Sequence, residues 1–333
     1  MALKTDAASK PLEAIYQPIQ ADLVRVEETL RTELQGVDGF LGEVTRYVAQ
    51  MLGKRLRPAL ALLSARAVAP SAPDRRVVQL AAAAELIHTA TLVHDDVIDD
   101  ATLRRGKATV NARWGNTLSV LAGDYLYSQA FCLLSAVGVP EVLRLMSETS
   151  QRVCVGEVTQ VRHQYDVELS EATYLTIIRE KTASLMASAA QGGAQLAGAP
   201  APVAQRLAIF GQAFGTAFQI LDDMHDLVGD EEQFGKSLGA DLQHGKLTLP
   251  LILLRDAGDP ATRRQVRELL ADTSGNGTTA QTLKTLALSQ GIGDQCVEKA
   301  QRFIEEARAA LEGLPASAGR QGLLDLTDYL LAS

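Results

Sequence analysis

Residues 92–100 read LVHDDVIDD and residues 219–226 read QILDDMHD, so one aspartate pattern occurs twice, each time after an apolar run. The aspartates of the two motifs are Asp95, Asp96, Asp99, Asp222, Asp223 and Asp226. Residues four apart lie on the same face of a helix, so each motif presents two carboxylates side by side. Two like charges at this spacing destabilise a helix and raise the carboxyl pKa values unless a cation lies between them. Each motif is therefore costly without a bound cation.

For a single motif of this kind, the more common structure is an acidic helix face in contact with water. Here residues 90–93 (ATLV) and 218–221 (FQIL) lead into the motifs and are too apolar for such a face. Acidic clusters on buried helices are costly unless a metal ion or another cation compensates them. Hard divalent ions, Mg²⁺ above all, bind carboxylate oxygens and bridge to phosphate oxygens. We therefore interpret the two motifs as a Mg²⁺ site.

The composition of the 333-residue chain favours helices packed closely on one another. Hydrophobic residues make up 47% of it and aromatic residues only 5%, so the core must consist of Ala, Leu, Val and Ile. A β-sandwich would need more aromatic and β-branched side chains. The net charge of −8 argues against a general nucleic-acid-binding protein, which needs a basic surface.

Cysteine usage and the apolar stretches predict a soluble cytoplasmic protein with no membrane span. Cys132, Cys154 and Cys296 lack metal-binding or disulfide spacing, so we expect reduced core residues. The N-terminus has no continuous apolar run of the kind that a secretory signal needs. The longest charge-free stretch, between Lys181 and Arg206, is broken by glycines and a proline and is a poor membrane span.

The apolar residues follow helical periodicity from Leu12 to the end, and no alternating pattern predicts a strand. The predicted helices span residues 12–34, 38–52, 56–69, 74–98, 107–113, 116–136, 140–164, 170–197, 201–228, 246–257, 260–273, 278–290, 292–312 and 317–331. Ser170 lies where a helix N-cap belongs.

The predicted fold class is all-α, with a single domain over residues 1–333, of which residues 1–10 are expected to be disordered. The length alone would suggest about two domains, but no Pro-, Gly- or Ser-rich linker divides the chain. The two aspartate motifs are 127 positions apart (222 − 95), so they can share ions only if both face one cavity.

Basic residues form clusters around the acidic motifs. The clusters are GKRLRP at 53–58, RRGK at 104–107, EKT at 180–182, FGKSLGAD at 234–241 and GK at 245–246. Lys54 and Arg57 lie three apart at a helix start, where backbone N–H groups also attract anions. Any one of these residues is at least as often a solvated surface cation. Together with two metal motifs they indicate a pocket for a phosphate-bearing ligand, because Arg binds phosphate with paired hydrogen bonds and Lys as a point charge.

The histidines are assigned to different roles by their helix positions. A lone His on an apolar helix is more often a core residue, but His88 lies two turns before Asp95 on the same face, so we expect a phosphate contact. His94 points elsewhere and is interpreted as packing. His225 lies off the metal-facing side of the second motif and is expected to support it or to face solvent. The sequence has no GxSxG, GxxxxGK[ST] or GxGxxG motif, so neither a serine nucleophile nor a nucleotide site is predicted.

Several stretches together resemble a known family. They are GKRLRP at 53–58, LIHTATLVHDDVIDD at 86–100 with RRG at 104–106, EKTA at 180–183, FQILDDMHD at 218–226 and FGKSLGADLQHGKLTLP at 234–250. In this order they closely resemble the motifs of the trans-type polyprenyl diphosphate synthases, in particular long-chain, octaprenyl-like members. The resemblance covers roughly residues 52–250, and the chain on either side of it adds no motif.

The resemblance implies an all-α bundle around a central cavity, the isoprenoid synthase fold, and a homodimer. Such enzymes condense isopentenyl diphosphate with an allylic diphosphate such as farnesyl diphosphate. By the resemblance, the six aspartates hold about three Mg²⁺ ions on the allylic diphosphate, since Mg²⁺ binds carboxylates and substrate phosphates together.

The resemblance also implies roles for individual basic and polar residues. Those expected to bind the allylic diphosphate are Arg104, Lys181, Thr182, Gln219, Lys236 and Lys246. Those expected to bind isopentenyl diphosphate are Lys54, Arg57, His88 and Arg105. Lys181, Asp222 and Arg104 are expected to act directly in catalysis. Loss of diphosphate from an allylic carbon separates two charges, and cations aimed at the departing group stabilise the negative one.

Small residues before the first motif suggest a long product. In relatives with short products a bulky residue in this region resembles a floor to the cavity. Here Thr91 lies one turn before Asp95 with Ala90 beside it, and both are small. The candidates for a deeper stop are Ile87, Leu134 and Met146. We therefore expect a product of about C35–C50, with C40 as the favoured length.

Four alternatives stay open at this point. A class I terpene cyclase shares the architecture and the first motif, but its second motif typically mixes Asn, Ser or Thr with an acid, and it needs no isopentenyl diphosphate site. A short-chain synthase (C15–C20) is a further possibility. A non-catalytic partner subunit would be a degenerate chain, whereas both motifs are intact here. A metal-buffering helical protein leaves the basic clusters unexplained.

Overall fold

The computed structural model describes residues 10–35, 38–51, 53–71, 73–229, 240–271 and 277–332. The helices are α1 (Leu12–Tyr16), α2 (Gln20–Gln35), α3 (Gly39–Ala49), α4 (Leu56–Val68), α5 (Arg75–Ile98), α6 (Val110–Trp114), α7 (Asn116–Val137), α8 (Pro140–Arg162), α9 (Glu171–Ile178), α10 (Ser184–Leu196), α11 (Ala201–Val228), α12 (Ala240–Gln243), α13 (Leu249–Asp256), α14 (Pro260–Ala271), α15 (Gly277–Ser289), α16 (Ile292–Ala310) and α17 (Ala318–Ala332). The all-α fold class is confirmed. Disorder was predicted for residues 1–10, of which residues 1–9 lie outside the described ranges.

Two irregular turns interrupt predicted helices. A 3₁₀ turn, Gln17–Ile19, divides the predicted helix 12–34 at Pro18, whose ring lacks the N–H of a regular helix interior. The predicted helix 170–197 begins as expected, since the Ser170 hydroxyl caps α9 by accepting from the N–H of Thr173 at 3.1 Å. Between α9 and α10 the chain widens into a π-helical turn, Arg179–Ala183, a rare form that is frequent at functional sites.

The segment between α5 and α7 differs from the predicted helix over residues 107–113. Two short antiparallel strands, β1 (Leu103–Arg104) and β2 (Lys107–Ala108), form a hairpin, and α6 begins only after its cap Thr109. The turn residues Arg105 and Gly106 have positive φ angles of 51° and 74°, as a two-residue type I′ turn requires. Strands of two residues are too short to show an alternating pattern, so periodicity could not predict them.

The long helices bury small apolar side chains against one another. α5 packs on α7 and on α4, α10 lies against both α4 and α11, and α11 packs on α16. From Val77 to Ala90 almost every residue of α5 is buried, as in a helix that runs through the interior of a bundle. Buried apolar side chains from Ile15 to Leu330 form one contiguous cluster, rich in Ala and Leu. Both aspartate motifs lie at the ends of these long helices, α5 and α11.

The three cysteines are free, but only one is a core residue. Cys296 is buried in α16 as predicted, whereas Cys132 and Cys154 are exposed on α7 and α8. The expectation of a core position is therefore wrong for these two. A cysteine can lie on the buried or the exposed face of a helix, so the residue type alone does not predict which of the two it occupies.

Two helices within the described ranges are long and apolar enough to cross a membrane by length and composition alone. In α5 the apolar window is 78% buried inside the bundle, which is typical of a core helix. In α7 the corresponding window is 39% buried, because residues such as Val120 and Leu121 lie on the surface. Core helices of soluble proteins pass the same test, so it is weak evidence for a membrane span.

Candidate active site

The first aspartate motif ends α5, and its middle carboxylate is held by the hairpin that follows. Asp96 is 1% exposed and accepts hydrogen bonds from the Arg104 guanidinium, with Nη2 at 2.7 Å and Nε at 2.9 Å. The side-chain amide of Asn111 donates to the Asp96 carbonyl oxygen at 3.1 Å. Burial raises the pKa of Asp96, and the charge of Arg104 opposes that rise. The hairpin thus places the Arg104 side chain in contact with the first motif.

Asp95 faces a lysine from the π-helical turn. The Nζ of Lys181 lies 3.3 Å from the Asp95 carboxylate, donates to the Gln160 side-chain oxygen at 2.9 Å, and contacts the Glu157 carboxylate. Burial acts to lower the pKa of Lys181, but the charges of Asp95 and Glu157 outweigh burial and raise it. Gly156 permits this approach of α8, because a Cβ there would lie 2.6 Å from the Lys181 backbone nitrogen.

Asp99 meets a lysine from a distant part of the chain. The Nζ of Lys246 lies 2.6 Å from Asp99 Oδ2, and the two side chains are only 9% and 14% exposed. The other carboxylate oxygen, Oδ1, is buried and has no hydrogen-bond partner among the described residues. An unpartnered buried oxygen is costly, so this atom is available to a further cation.

The second aspartate motif ends α11, and its middle carboxylate is again buried. Asp223 accepts hydrogen bonds from the Tyr174 hydroxyl at 2.6 Å and the Gln219 amide at 2.7 Å. Gln219 in turn accepts from the Thr182 hydroxyl at 2.9 Å, which links the motif to the π-helical turn. Burial, followed by the charge of Asp241, raises the pKa of Asp223 well above its ordinary value.

Asp241 indicates that the two motifs border one region. Its backbone N–H donates to the Asp226 carboxylate at 3.2 Å. Burial raises the pKa of Asp241, Lys246 lowers it, and the carboxylates of Asp222 and Asp99 raise it further. The electrostatic environment of one carboxylate therefore includes both motifs. Asp222 is the exposed member of the second motif.

A second group of cations lies beside the first motif. Burial lowers the pKa of His88 well below its ordinary value, and the charges of Arg57, Arg104 and Arg105 lower it further. Burial also lowers the pKa of Arg57 to about 10, and within the described part of the chain the buried Nε of this side chain has no hydrogen-bond partner. Guanidinium groups around a neutral histidine, one of them with an unused donor, form a site suited to an anion.

Gly53 makes room for one of these guanidinium groups. Arg105 donates to the Met51 carbonyl oxygen at 2.7 Å, and a Cβ on Gly53 would lie 2.3 Å from the Arg105 Nη2 atom. The next residue, Lys54, is exposed, with its ammonium 5.6 Å from the ring centre of Tyr329. The GKRLRP stretch and the hairpin turn thus meet at the glycine.

The remaining predicted histidines have distinct surroundings. His94 packs against α7, with its ring stacked on Tyr127 at a centroid distance of 6.1 Å, as the packing interpretation predicted. His225 is half-buried; burial lowers its pKa, Asp222 raises it, and Lys54 lowers it. His225 therefore lies near both the second motif and the Lys54 side of the site, which fits the supporting position predicted for it.

The residues predicted to limit product length are mostly core residues of α5, α7 and α8. Fully buried side chains among them are Ile87, Ala90, Leu134 and Met146. Thr91 is half-buried, and its hydroxyl donates to the His88 carbonyl oxygen at 2.7 Å. Their role in product length stays a prediction.

Several residues of the site were not singled out from the sequence. They are Asn111, Glu157, Gln160, Tyr174 and Asp241. Asp241 stands inside the quoted stretch 234–250, so a signal for it existed. The others lie outside every quoted motif, and only the folded chain brings them to the aspartates. Lys236, predicted to bind the allylic diphosphate, lies outside the described residues.

The oxygen-rich side chains fit a divalent cation by their chemistry. Among the described residues, no three Asp, Glu, His or Cys side chains are arranged so that they could hold a metal ion. Each aspartate of the first motif is paired with a Lys or Arg side chain. Mg²⁺ is bound in proteins by one or two carboxylates together with water and substrate phosphates, and so does not need an all-protein cage. The unpartnered Oδ1 of Asp99 is a suitable ligand atom.

Comparison with known proteins gives concordant results. The sequence model of a family described as polyprenyl synthetase matches residues 38–286. The chain is 39% identical over 328 residues to heptaprenyl diphosphate synthase component 2 of Geobacillus stearothermophilus, which covers 96% of this chain and 98% of the relative. It is 36% identical over 315 residues to octaprenyl diphosphate synthase of Escherichia coli, covering 95% and 97%.

A solved structure extends the likeness to the fold. Polyprenyl synthase from Caulobacter crescentus, crystallised with calcium and isoprenyl diphosphate, superposes with a TM-score of 0.93 at 33% sequence identity. The match covers 98% of this chain and 99% of that one.

Proposed function

The chain belongs to the polyprenyl synthetase family, and from this premise we propose that its two aspartate motifs and their lysine and arginine partners form the active site of a prenyl elongation reaction. The chain is a prenyltransferase of the long-chain class, with the isoprenoid synthase fold. The predicted family, fold class and reaction class are confirmed. The relatives leave the terpene cyclase alternative without support.

One observation carries the assignment of the site: Lys246 pairs with Asp99 of the first motif while acting on Asp241 beside the second motif. A site in which carboxylates are paired with ammonium groups suits a diphosphate bound together with divalent cations, because the ammonium groups bind its oxygens and the carboxylates bind the metal ions. The aspartates of both motifs would hold Mg²⁺, which supplies charge stabilisation for the departing diphosphate. A relative that was solved with calcium and isoprenyl diphosphate supports the divalent-ion requirement.

The basic residues are assigned to two diphosphate positions. Arg104, Lys181 and Lys246 lie at the first motif and would bind the allylic diphosphate, with Lys236 as a further expected ligand. Thr182 and Gln219 would orient that substrate from the second motif. The residues proposed to hold isopentenyl diphosphate are Lys54, Arg57, His88 and Arg105.

These assignments account for the reaction in three steps. Arg104 and Lys181 donate to the allylic diphosphate as its bond to carbon breaks, because they favour the charge that develops there. The double bond of isopentenyl diphosphate, held by Arg57 and Arg105, then attacks the allylic carbon. The proton lost after this bond forms goes to the released diphosphate, since the described site offers no evident side-chain base. The apolar core below the motifs excludes water from the cation.

Replacing Gly53 with alanine should raise the KM for isopentenyl diphosphate by about tenfold, a loss of about 1.4 kcal/mol of binding free energy. The new methyl group would overlap the Arg105 guanidinium, a flexible group that can move away without a large loss of stability. Steady-state kinetics with each substrate varied in turn checks this. Gly293→Ala on α16 is the control for an added methyl group, because this glycine lies within a helix and a Cβ there would meet only Val228 at 3.7 Å and Met224 at 4.0 Å, which are ordinary van der Waals distances. An unchanged KM in Gly53→Ala would contradict the placement of Arg105.

The product is proposed to be about C40 in length. Ala90, fully buried on α5, and the half-buried Thr91 are small side chains just before the first motif, and Met146 on α8 is a candidate for a deeper limit. Two relatives are named for heptaprenyl and octaprenyl products, of which the first is one prenyl unit shorter than this length and the second equals it. Farnesyl diphosphate is the proposed primer.

A homodimer is proposed from an apolar surface on α7 and α8. The exposed apolar side chains there are Val120, Leu121, Val155, Val158 and Val161. The two helices pack on each other, and exposed apolar side chains grouped on neighbouring helices are typical of interaction surfaces. We further propose that the chain forms one domain and acts in the cytoplasm, with no nucleic-acid partner.

Elongation by the purified chain tests the proposed function. With Mg²⁺, labelled isopentenyl diphosphate and farnesyl diphosphate, the chain should release products that, after dephosphorylation, measure about C40. Excess EDTA should stop elongation, and added Mg²⁺ should restore it, because the carboxylates cannot bind diphosphate without cations. Failure to elongate any allylic primer, or elongation indifferent to EDTA, would contradict the proposal. One relative is named as a component 2, so activity of this chain alone would also show that it needs no second component.

A further inference from the structure

Arg55 of the GKRLRP stretch is the centre of a partly buried ion triad. The guanidinium of Arg55 donates to Glu85 on α5 from Nη1 at 3.2 Å and to Glu27 on α2 from Nη2 at 2.9 Å. Its Nε contacts the second oxygen of Glu27. The Arg55 side chain is 14% exposed and that of Glu85 is 4% exposed, whereas that of Glu27 is 44% exposed. All three nitrogens of Arg55 are thus occupied by carboxylates.

The backbone of Arg55 has an unusual conformation at a position next to the proposed substrate ligands. Its φ of 56° and ψ of 32° lie in the left-handed region, which non-glycine residues seldom adopt without surrounding support. Arg55 is the N-cap of α4, between Lys54 and Arg57. The direction in which each of these two side chains leaves the backbone therefore depends on the conformation of Arg55.

The triad also reaches the substrate ligands through Glu85. Glu85 lies three residues before His88 on α5, so the two side chains lie on the same side of that helix. Burial lowers the pKa of Arg57, and the charge of Glu85 opposes this effect. Glu85 thus acts on two arginines: it pairs directly with Arg55, and its charge opposes the lowering of the Arg57 pKa.

We propose that Arg55 is a positioning residue for the isopentenyl diphosphate site and does not bind substrate itself. Clamped between Glu27 and Glu85, it holds the turn before α4 so that Lys54 and Arg57 point to one diphosphate. This inference rests on the proposed function, because it assigns a support to the ligands named there. The role differs from that of Lys54 and Arg57 in the same stretch, because the Arg55 guanidinium faces Glu27 and Glu85.

The test compares kinetics and stability in variants of the clamp. Arg55→Met should raise the KM for isopentenyl diphosphate by about tenfold or more, while kcat and the KM for farnesyl diphosphate stay within about twofold. Arg55→Lys keeps the buried charge but can engage only one carboxylate well, so we expect an intermediate KM and a stably folded chain. Glu85→Gln should raise the same KM. The Arg55→Met, Glu85→Gln double variant should show less than the product of the two single effects, since both remove one clamp.

Arg66→Met is the matched control. Arg66 also lies on α4 and pairs with a buried carboxylate of α2, Asp22, at 2.7 Å, but it is eleven residues beyond Arg55, roughly 16 Å along the helix. It should lower the melting temperature and leave both KM values unchanged. If Arg55→Met and Arg55→Lys behave like Arg66→Met, or raise both KM values equally, the positioning role is overturned. If the unmodified chain itself fails to elongate, the proposed function fails instead.

Discussion

Replacing Asp222 with asparagine should lower kcat for elongation by about 10³-fold, which corresponds to about 4 kcal/mol of lost transition-state stabilisation. Asp222 is exposed in the second motif and acts on both Asp241 and His225, so its carboxylate faces the region between the motifs. Asparagine keeps the shape of the side chain and removes the charge that would hold a divalent ion. The melting temperature should change little, because an exposed carboxylate contributes little to stability.

Asp100→Asn is the matched control for this experiment. Asp100 is the last aspartate of LVHDDVIDD, is exposed, and stands outside the triplet spacing. Its φ of 52° is left-handed, a conformation that asparagine tolerates well. The control should keep kcat within about twofold, since it removes no proposed ligand. Equal activity in the two variants would argue that the second motif does not hold a metal ion.

Replacing Ala90 with phenylalanine should shorten the product from about C40 to about C15–C20. Ala90 is fully buried on α5, one turn and a residue before Asp95, and a ring there would close the path that a growing chain takes below the first motif. Product length is measured by chromatography of the dephosphorylated products. Overpacking a core position also costs about 1–3 kcal/mol of stability, so the variant should be assayed below its melting temperature.

Ala81→Phe distinguishes a blocked path from a disturbed core. Ala81 is also fully buried on α5, but nine residues earlier, which places it on the opposite face of the helix. This control should lose similar stability and still release long products. If Ala90→Phe also releases only long products, the path of the chain does not pass Ala90.

The sequence was sufficient for the elements with a strong local signal. Apolar periodicity predicted the long helices, and Ser170 marked a cap that the structure contains. The hairpin at 103–108 was missed because its strands are too short to show a pattern, although Gly106 stands where a tight turn needs it. Cys132 and Cys154 were misplaced because residue type alone does not fix the face of a helix.

In the candidate site, charge and spacing identified the aspartates and most of their cationic partners. Tyr174 and Glu157 could not be found in this way, because each reaches the site from a helix with no motif of its own. Arg55 shows the opposite limitation. It stands within a basic motif, yet its guanidinium is turned to Glu27 and Glu85, and only the fold reveals that orientation.

The pairing of all three aspartates in the first motif with Arg104, Lys181 and Lys246 has a thermodynamic consequence. A divalent ion that arrives alone must displace these cations from the carboxylates and leave them crowded together. A diphosphate that arrives alone must draw the same cations away and leave the carboxylates repelling one another. Each ligand neutralises the like charges that the other would leave unpaired, so the two affinities are linked. By thermodynamic reciprocity, each ligand should raise the affinity for the other by the same factor. The charge network thus favours binding of the metal ion and the diphosphate together and disfavours binding of either one alone.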